Sequence, residues 1–212
     1  MRFSLFCGLL FLYWSSASAE YTGLALSFEE LDADWKFTSG EREVRSRSVS
    51  FRIEEKTRIG FRIGLGLGVS NLRIAGDAST DRLDIDATSL GAYLRLPTEL
   101  SENYSLNGLL SYGYYSGNGE ENLQQVGIDW HEVQVQLGFS VRFASIRITP
   151  FADYYLVSGD IDYANKGETF ELVDAVGGGI QFDYFVRDTA FIRLKFQSGV
   201  YNGLTLSFAL RY

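Results

Sequence analysis

The chain has 212 residues, of which 27 are acidic and 19 basic, for a formal net charge of −8. That balance argues against a nucleic-acid partner, because binding phosphates calls for a basic surface. The single cysteine falls at position 7, inside a leader-like segment, so the rest of the chain offers neither a disulfide nor a thiolate site.

Residues 1–19 read as a cleaved signal peptide. Arg2 supplies the positive charge and Leu5 to Trp14 the short apolar run. Ala17-Ser18-Ala19 is an A-x-A cleavage pattern. The run is too short for a membrane-spanning helix, which takes about 20 apolar residues. Residues 20–212 then form one domain, rich in glycine (22), tyrosine (13) and phenylalanine (16) and poor in proline (2). No helical spacing and no long apolar run remains, and the alternating segments point to an all-β class.

Taken in order, Leu24, Leu26 and Phe28 alternate with small residues in the first strand. A polar stretch, Asp32 to Arg47, reads as a loop. Val49, Phe51 and Ile53 alternate with Ser50, Arg52 and Glu54. After a short turn, Ile59 to Ser70 keeps its alternation for a dozen residues, with Gly60, Arg62, Gly64, Gly66 and Gly68 on the polar parity. That matches the 9–11 residues a tilted strand needs to cross a bilayer. A polar loop over 75–86 precedes Leu90, Ala92, Leu94 and Leu96. Pro97 marks a turn before Tyr104 to Tyr114, and 117–129 reads as another loop. Val133 to Phe143 alternates strictly, turns at Ala144-Ser145 and continues through Ile146 to Leu156. Pro150 cannot donate to a ladder, so a bulge or weak spot is expected there. A loop over 158–170 leads to Val176–Val186, a turn at Asp188-Thr189, Ala190–Phe196 and a final strand, Leu204–Tyr212.

The count is ten strands, with eight as the alternative. Long polar connections alternate with short turns, the asymmetry of an up-and-down antiparallel transmembrane barrel with both termini on the periplasmic side. The apolar parity is expected to face lipid. The opposite parity is mostly glycine, serine and threonine, with charges of both signs. Arg52, Glu54, Arg62, Arg95, Glu132, Arg142, Arg147, Asp153, Asp183, Arg187, Arg193, Lys195 and Arg211 are expected to form an enclosed lumen network, since unpaired buried charge is costly. Tyr21, Tyr104, Tyr114, Tyr154, Tyr184 and Tyr212 sit where an interfacial girdle would lie.

With its A-x-A leader, dyad strands, Thr149-Pro150-Phe151 and terminal aromatic strand, the chain resembles the small outer-membrane β-barrel proteins of Gram-negative bacteria, the OmpA-like and OmpX-like group. The resemblance implies outer-membrane lipid and lipopolysaccharide as surroundings, a monomer, and no cofactor. It also implies that Leu204, Leu206, Phe208, Leu210 and Tyr212 form the signal read by the barrel assembly machinery.

Three functions follow as expectations. The first is a non-enzymatic integral barrel with a structural or loop-mediated role. The second is a narrow channel or small-solute binder lined by Arg62, Arg95, Arg142, Arg147, Arg187 and Arg193. The third rests on Asp84/Asp86 and Asp129/His131, which is similar to the omptin proteases, where an Asp pair and an Asp–His pair activate a water. Trp130-His131 otherwise reads as interfacial. The acidic stretches Asp77–Asp86 and Glu120–Asp129 are candidates for divalent cations or basic partners.

Overall fold

The computed structural model describes residues 22–75, 83–121, 124–163 and 166–211. The signal segment, Tyr21, Tyr212, Asp77 and the side chain of Arg211 lie outside that description. The elements are β1 (Thr22–Phe37), β2 (Gly40–Lys56), β3 (Arg62–Ile74), β4 (Leu83–Glu99), β5 (Tyr104–Glu121), β6 (Gln124–Phe143), β7 (Ile146–Tyr163), β8 (Lys166–Leu172), β9 (Val176–Arg187), β10 (Ala190–Ser198) and β11 (Asn202–Arg211). All pairings are antiparallel. β1 through β7 and then β9, β10 and β11 form a ring of ten strands closed by β11 against β1.

The alternation sends Leu67, Leu90, Leu137, Tyr184 and Phe208 outward, and all are exposed. Arg62, Arg95, Arg142, Arg147 and Arg193 are half-buried on the opposite, inner parity. A greasy wall around a polar lumen is the arrangement a hydrocarbon surround selects. The outward tyrosines Tyr104, Tyr114, Tyr154 and Tyr184 are exposed on that wall.

The long polar connections are largely strand. β1 and β2 run on to a turn at Thr38-Ser39, and the ladder pairs Trp35 with Arg42 and Phe37 with Gly40. β4 begins at Leu83, β5 runs to Glu121, β6 starts at Gln124 and β7 reaches Tyr163. The reason is an inversion of the dyad. On β1 the inner parity changes from Ala25, Ser27 and Glu29 to Leu31, Ala33, Trp35 and Phe37. The outer parity changes from Leu24, Leu26 and Phe28 to Glu30, Asp32, Asp34 and Lys36. The strand leaves hydrocarbon, enters water, and its oily side switches to the inside.

Above that level the ring changes composition. β8 pairs with the end of β7 through Ser158–Tyr163 and with β1 through Trp35↔Leu172, Lys36↔Glu171 and Phe37↔Phe170. β8 thus stands in for β9, β10 and β11, and eight strands close an upper ring over the ten-stranded lower one. The β10–β11 hairpin stops below β8, and its tip, Val200-Tyr201, is buried beneath the upper ring.

Pro150 interrupts the β6–β7 ladder without shifting it. Gly138 pairs with Phe151 and Val141 with Ile148, and no pairs form between. A register shift occurs instead between Ala190 and Phe191 on β10. The tight turn at Ala144-Ser145 holds Ala144 at φ 50°.

Candidate functional site: a sealed polar lumen

The upper ring encloses an apolar core. Leu31, Trp35, Phe37, Val44, Leu72, Ile74, Leu83, Ile85, Val126, Ile128, Trp130, Val157, Ile161 and Phe170 form one buried cluster, with Ile85 and Ile161 at 0% exposure. Its centre is aromatic: Trp35 stacks on Phe170 at 4.6 Å and meets Trp130 edge-on at 5.7 Å, and Trp130 stacks on Tyr115 at 4.5 Å. Trp130 therefore belongs to the core and not to an interfacial belt. Glycine makes room for it: a β-carbon at Gly159 would overlap the Phe170 ring and the Asp129 carbonyl. These residues sit in segments whose polarity reads as loop, and the signal that marks them is the apolar parity inside each: Leu31-Ala33-Trp35-Phe37, Leu83-Ile85-Ala87 and Val126-Ile128-Trp130.

Beneath the seal lies a polar cavity of about 290 Å³, lined among others by Arg52, Arg62, Arg95, Glu132, Arg147 and Lys195. Three sets of contacts organise it. Near the seal, Glu132 accepts a hydrogen bond from the Tyr201 hydroxyl at 2.8 Å. At mid-height, Gln134 and Gln197 both donate to the Tyr155 hydroxyl, at 2.7 and 3.0 Å, and Gln197 reaches the buried Asp153 at 3.4 Å. Lys195 lies 4.6 Å over the Phe151 ring.

Toward the short turns, Arg193 grips Asp183 with two nitrogens at 2.7 and 3.0 Å, and Gln181 donates to the same carboxylate. Glu54 pairs with Arg62 at 2.9 Å and lies 3.8 Å from Arg95, while the Tyr93 hydroxyl approaches its other oxygen at 3.4 Å. Gly64 makes space for the Tyr93 ring, which a β-carbon there would overlap. Arg142 and Arg147 lie over the Phe185 ring at 4.9 and 5.0 Å. Arg187 is exposed at the end of β9, outside these networks.

The Asp and His residues that invited a protease reading do not converge. All four face outward. Asp84 pairs with Arg73 at 3.1 Å, and Asp86 accepts from Asn71 at 3.0 Å. Asp129 accepts from the Tyr114 hydroxyl at 2.8 Å, and His131 Nδ1 lies 2.7 Å from the Tyr112 hydroxyl. Asp86 is level with Asn118 on β5 and through it with Gly127 on β6, four residues from His131. Two strand spacings and four residues of rise place Asp86 and His131 on the order of 16 Å apart. Among the described residues no group of three or more His, Cys, Asp or Glu is placed to hold a metal ion.

The outer surface of the upper ring carries cross-strand ion pairs: Glu30–Arg47 at 2.8 Å, Asp32–Arg45 at 2.7 Å and Lys36–Glu171 at 3.7 Å. The hydrogen bond from Arg45 to Asp32 and the charge beside it raise the arginine above its ordinary pKa.

The family model of the autotransporter beta-domain matches residues 30–172. The chain belongs to the autotransporter β-domain family. Its fold is also similar to the translocator domain of the autotransporter NalP from Neisseria meningitidis, at 12% identity and a TM-score of 0.54, over 99% of this chain and 96% of that one. It is similar to the outer membrane protease OmpT from Escherichia coli at 10% identity and a TM-score of 0.53, over 93% of this chain and 98% of that one. At such identities the likeness is one of fold. A search of curated proteins gave no match. This autotransporter-type domain is thus an outer-membrane β-barrel of the Gram-negative kind, crossing with strands.

Proposed function

We propose that the chain works as a closed, non-enzymatic outer-membrane barrel. Its lower ring sits in the bilayer, and its upper ring presents a charged wall for contacts outside the membrane. The observation that carries this reading is the apolar seal. Trp35, Trp130 and Phe170, at 3% exposure each, fill the upper ring, and an apolar constriction resists hydration and ion passage. Ring size supports it, since wide aqueous pores need about sixteen strands.

On this reading the short turns face the periplasm, with both chain ends on that side, following the loop asymmetry of outer-membrane barrels. The surroundings are outer-membrane lipid and lipopolysaccharide, and the barrel is monomeric. Leu204 to Tyr212 serve the assembly machinery, the role implied by the likeness to OmpA-like and OmpX-like barrels.

Planar-bilayer recording tests the seal. The wild-type barrel should be silent, and a Trp35→Ala/Phe170→Ala variant should leak. Stepwise wild-type openings that vanish on Arg→Ala changes at Arg62, Arg95 or Arg147 would establish the channel reading instead.

A further inference from the structure

We propose that the short-turn half of the lumen is a blind binding site for a small oxyanion of the phosphate or carboxylate class. The argument starts from like charges forced together. Arg142 on β6 and Arg147 on β7 are directly opposite in the ladder, as are Arg62 on β3 and Arg95 on β4. Such pairs are destabilising unless something compensates them.

The carboxylates nearby do not suffice. Asp183 stands beside Arg147 in the register, but both its oxygens are taken by the forked grip of Arg193. Glu54 alone serves both Arg62 and Arg95. Among the described residues neither Arg142 nor Arg147 has a carboxylate within ion-pair distance; both lie over the face of Phe185, and Arg142 Nε donates to the Ala144 carbonyl at 3.3 Å. Five guanidiniums therefore surround two carboxylates. The excess is positive inside a chain whose net charge is −8.

Unfilled donors point the same way. Arg62 Nε is buried with no hydrogen-bond partner, and Arg95 Nε is buried with Glu54 3.8 Å away, beyond hydrogen-bond distance. Both arginines line the 290 Å³ cavity together with Arg147, Arg193 and Asp183. Guanidinium forks match oxyanion geometry with two parallel hydrogen bonds, and they do so best where water is excluded. An oxyanion in this cavity meets Arg147 and the Arg62–Arg95 pair, which line it from β7, β3 and β4. The apolar seal stops it from travelling further, so the site binds and does not conduct.

The test is titration of inorganic phosphate into the purified barrel in phospholipid-free detergent, followed by calorimetry and ³¹P NMR. Wild type should bind saturably. Arg147→Gln should weaken binding at least tenfold, and Arg142→Gln/Arg147→Gln should abolish it. Arg45→Gln, on the outer wall, should leave it unchanged. Malonate competition then separates the two chemistries: displacement of phosphate assigns a general oxyanion site, and failure to displace assigns one selective for phosphate.

Absence of saturable wild-type binding, or equal affinity in the double variant, overturns the site. Should the double variant not fold, dicarbonyl labelling of wild-type arginines decides. Phosphate should slow modification of Arg142 and Arg147 severalfold relative to Arg73, and unchanged rates overturn the proposal. The bilayer recording above bears on the seal alone, so the two readings fail separately.

Discussion

Trp35 on β1 and Phe170 on β8 lie face to face, 4.6 Å apart and 10° from parallel, across a seam of three residue pairs. Every other seam of the barrel is longer, so this stack holds much of the upper ring shut. Phe170→Ala should cost about 3–5 kcal/mol, the usual price of emptying an aromatic site in a packed core. The loss should be local. Hydrogen exchange at residues 166–172 should accelerate while the amides of β10 and β11 keep their protection. Uniform loosening of both rings would refute the seam's special role.

The Arg193–Asp183 pair gives a second prediction. Asp183 is at 1% exposure, with its partner's nitrogens at 2.7 and 3.0 Å. Removing one partner of a buried pair leaves an uncompensated charge and costs about 3–5 kcal/mol. Asp183→Leu should therefore destabilise the barrel strongly in urea unfolding from vesicles. Asp183→Leu/Arg193→Met should recover most of that loss, and a double variant as unstable as the single one would contradict the assignment.

A third prediction concerns Gly64 and Tyr93. The ring of Tyr93 occupies the space a β-carbon at Gly64 would take. Gly64→Val should cost about 1–3 kcal/mol through overpacking. In a Tyr93→Ala background the same change should cost less, the remainder coming from the Ile53 carbonyl, which the new β-carbon also crowds. The coupling read from the four-variant cycle checks it, and strict additivity would show that the ring moves freely aside.

The outer wall supplies a fourth. Leu137 is 68% exposed on the lower ring, where lipid is expected. Leu137→Arg should destabilise by about 2–4 kcal/mol if it lies near the midplane, whereas Asp34→Arg on the upper ring should change stability by less than about 1 kcal/mol. Unfolding midpoints in vesicles report both values, and equal costs would mean that the apolar band has been placed wrongly.

The lower ring was legible because one rule, period-two alternation against lipid, holds from Leu24 to Phe28 and again in each later segment. The inner parity of Arg62, Arg142 and Arg193 followed from it. The upper ring was hidden because the same rule reverses sign: Leu31, Trp35 and Phe37 keep the parity of Ala25 and Ser27 but change its chemistry. A search for one constant greasy face reads that reversal as loop. Which carboxylate holds which arginine was beyond alternation altogether. Asp183 meets Arg193 because β9 and β10 pair after a register shift at Ala190/Phe191, and sequence period carries no register. The replacement of three strands by β8 is likewise a pairing choice, made by seven residues whose composition resembles any polar connection.

The reversal at Glu29/Glu30 recurs at the same level at Ser48/Arg47 on β2, Ser70/Asn71 on β3 and Ala87/Asp86 on β4. It works like a waterline painted on a hull. Sinking by one pleat would draw Glu30 and Arg47 into oil, and rising by one would lift Phe28 and Val49 into water. The upper edge of the oily band is consequently set to within one pleat, and it resists vertical slippage of the barrel in either direction.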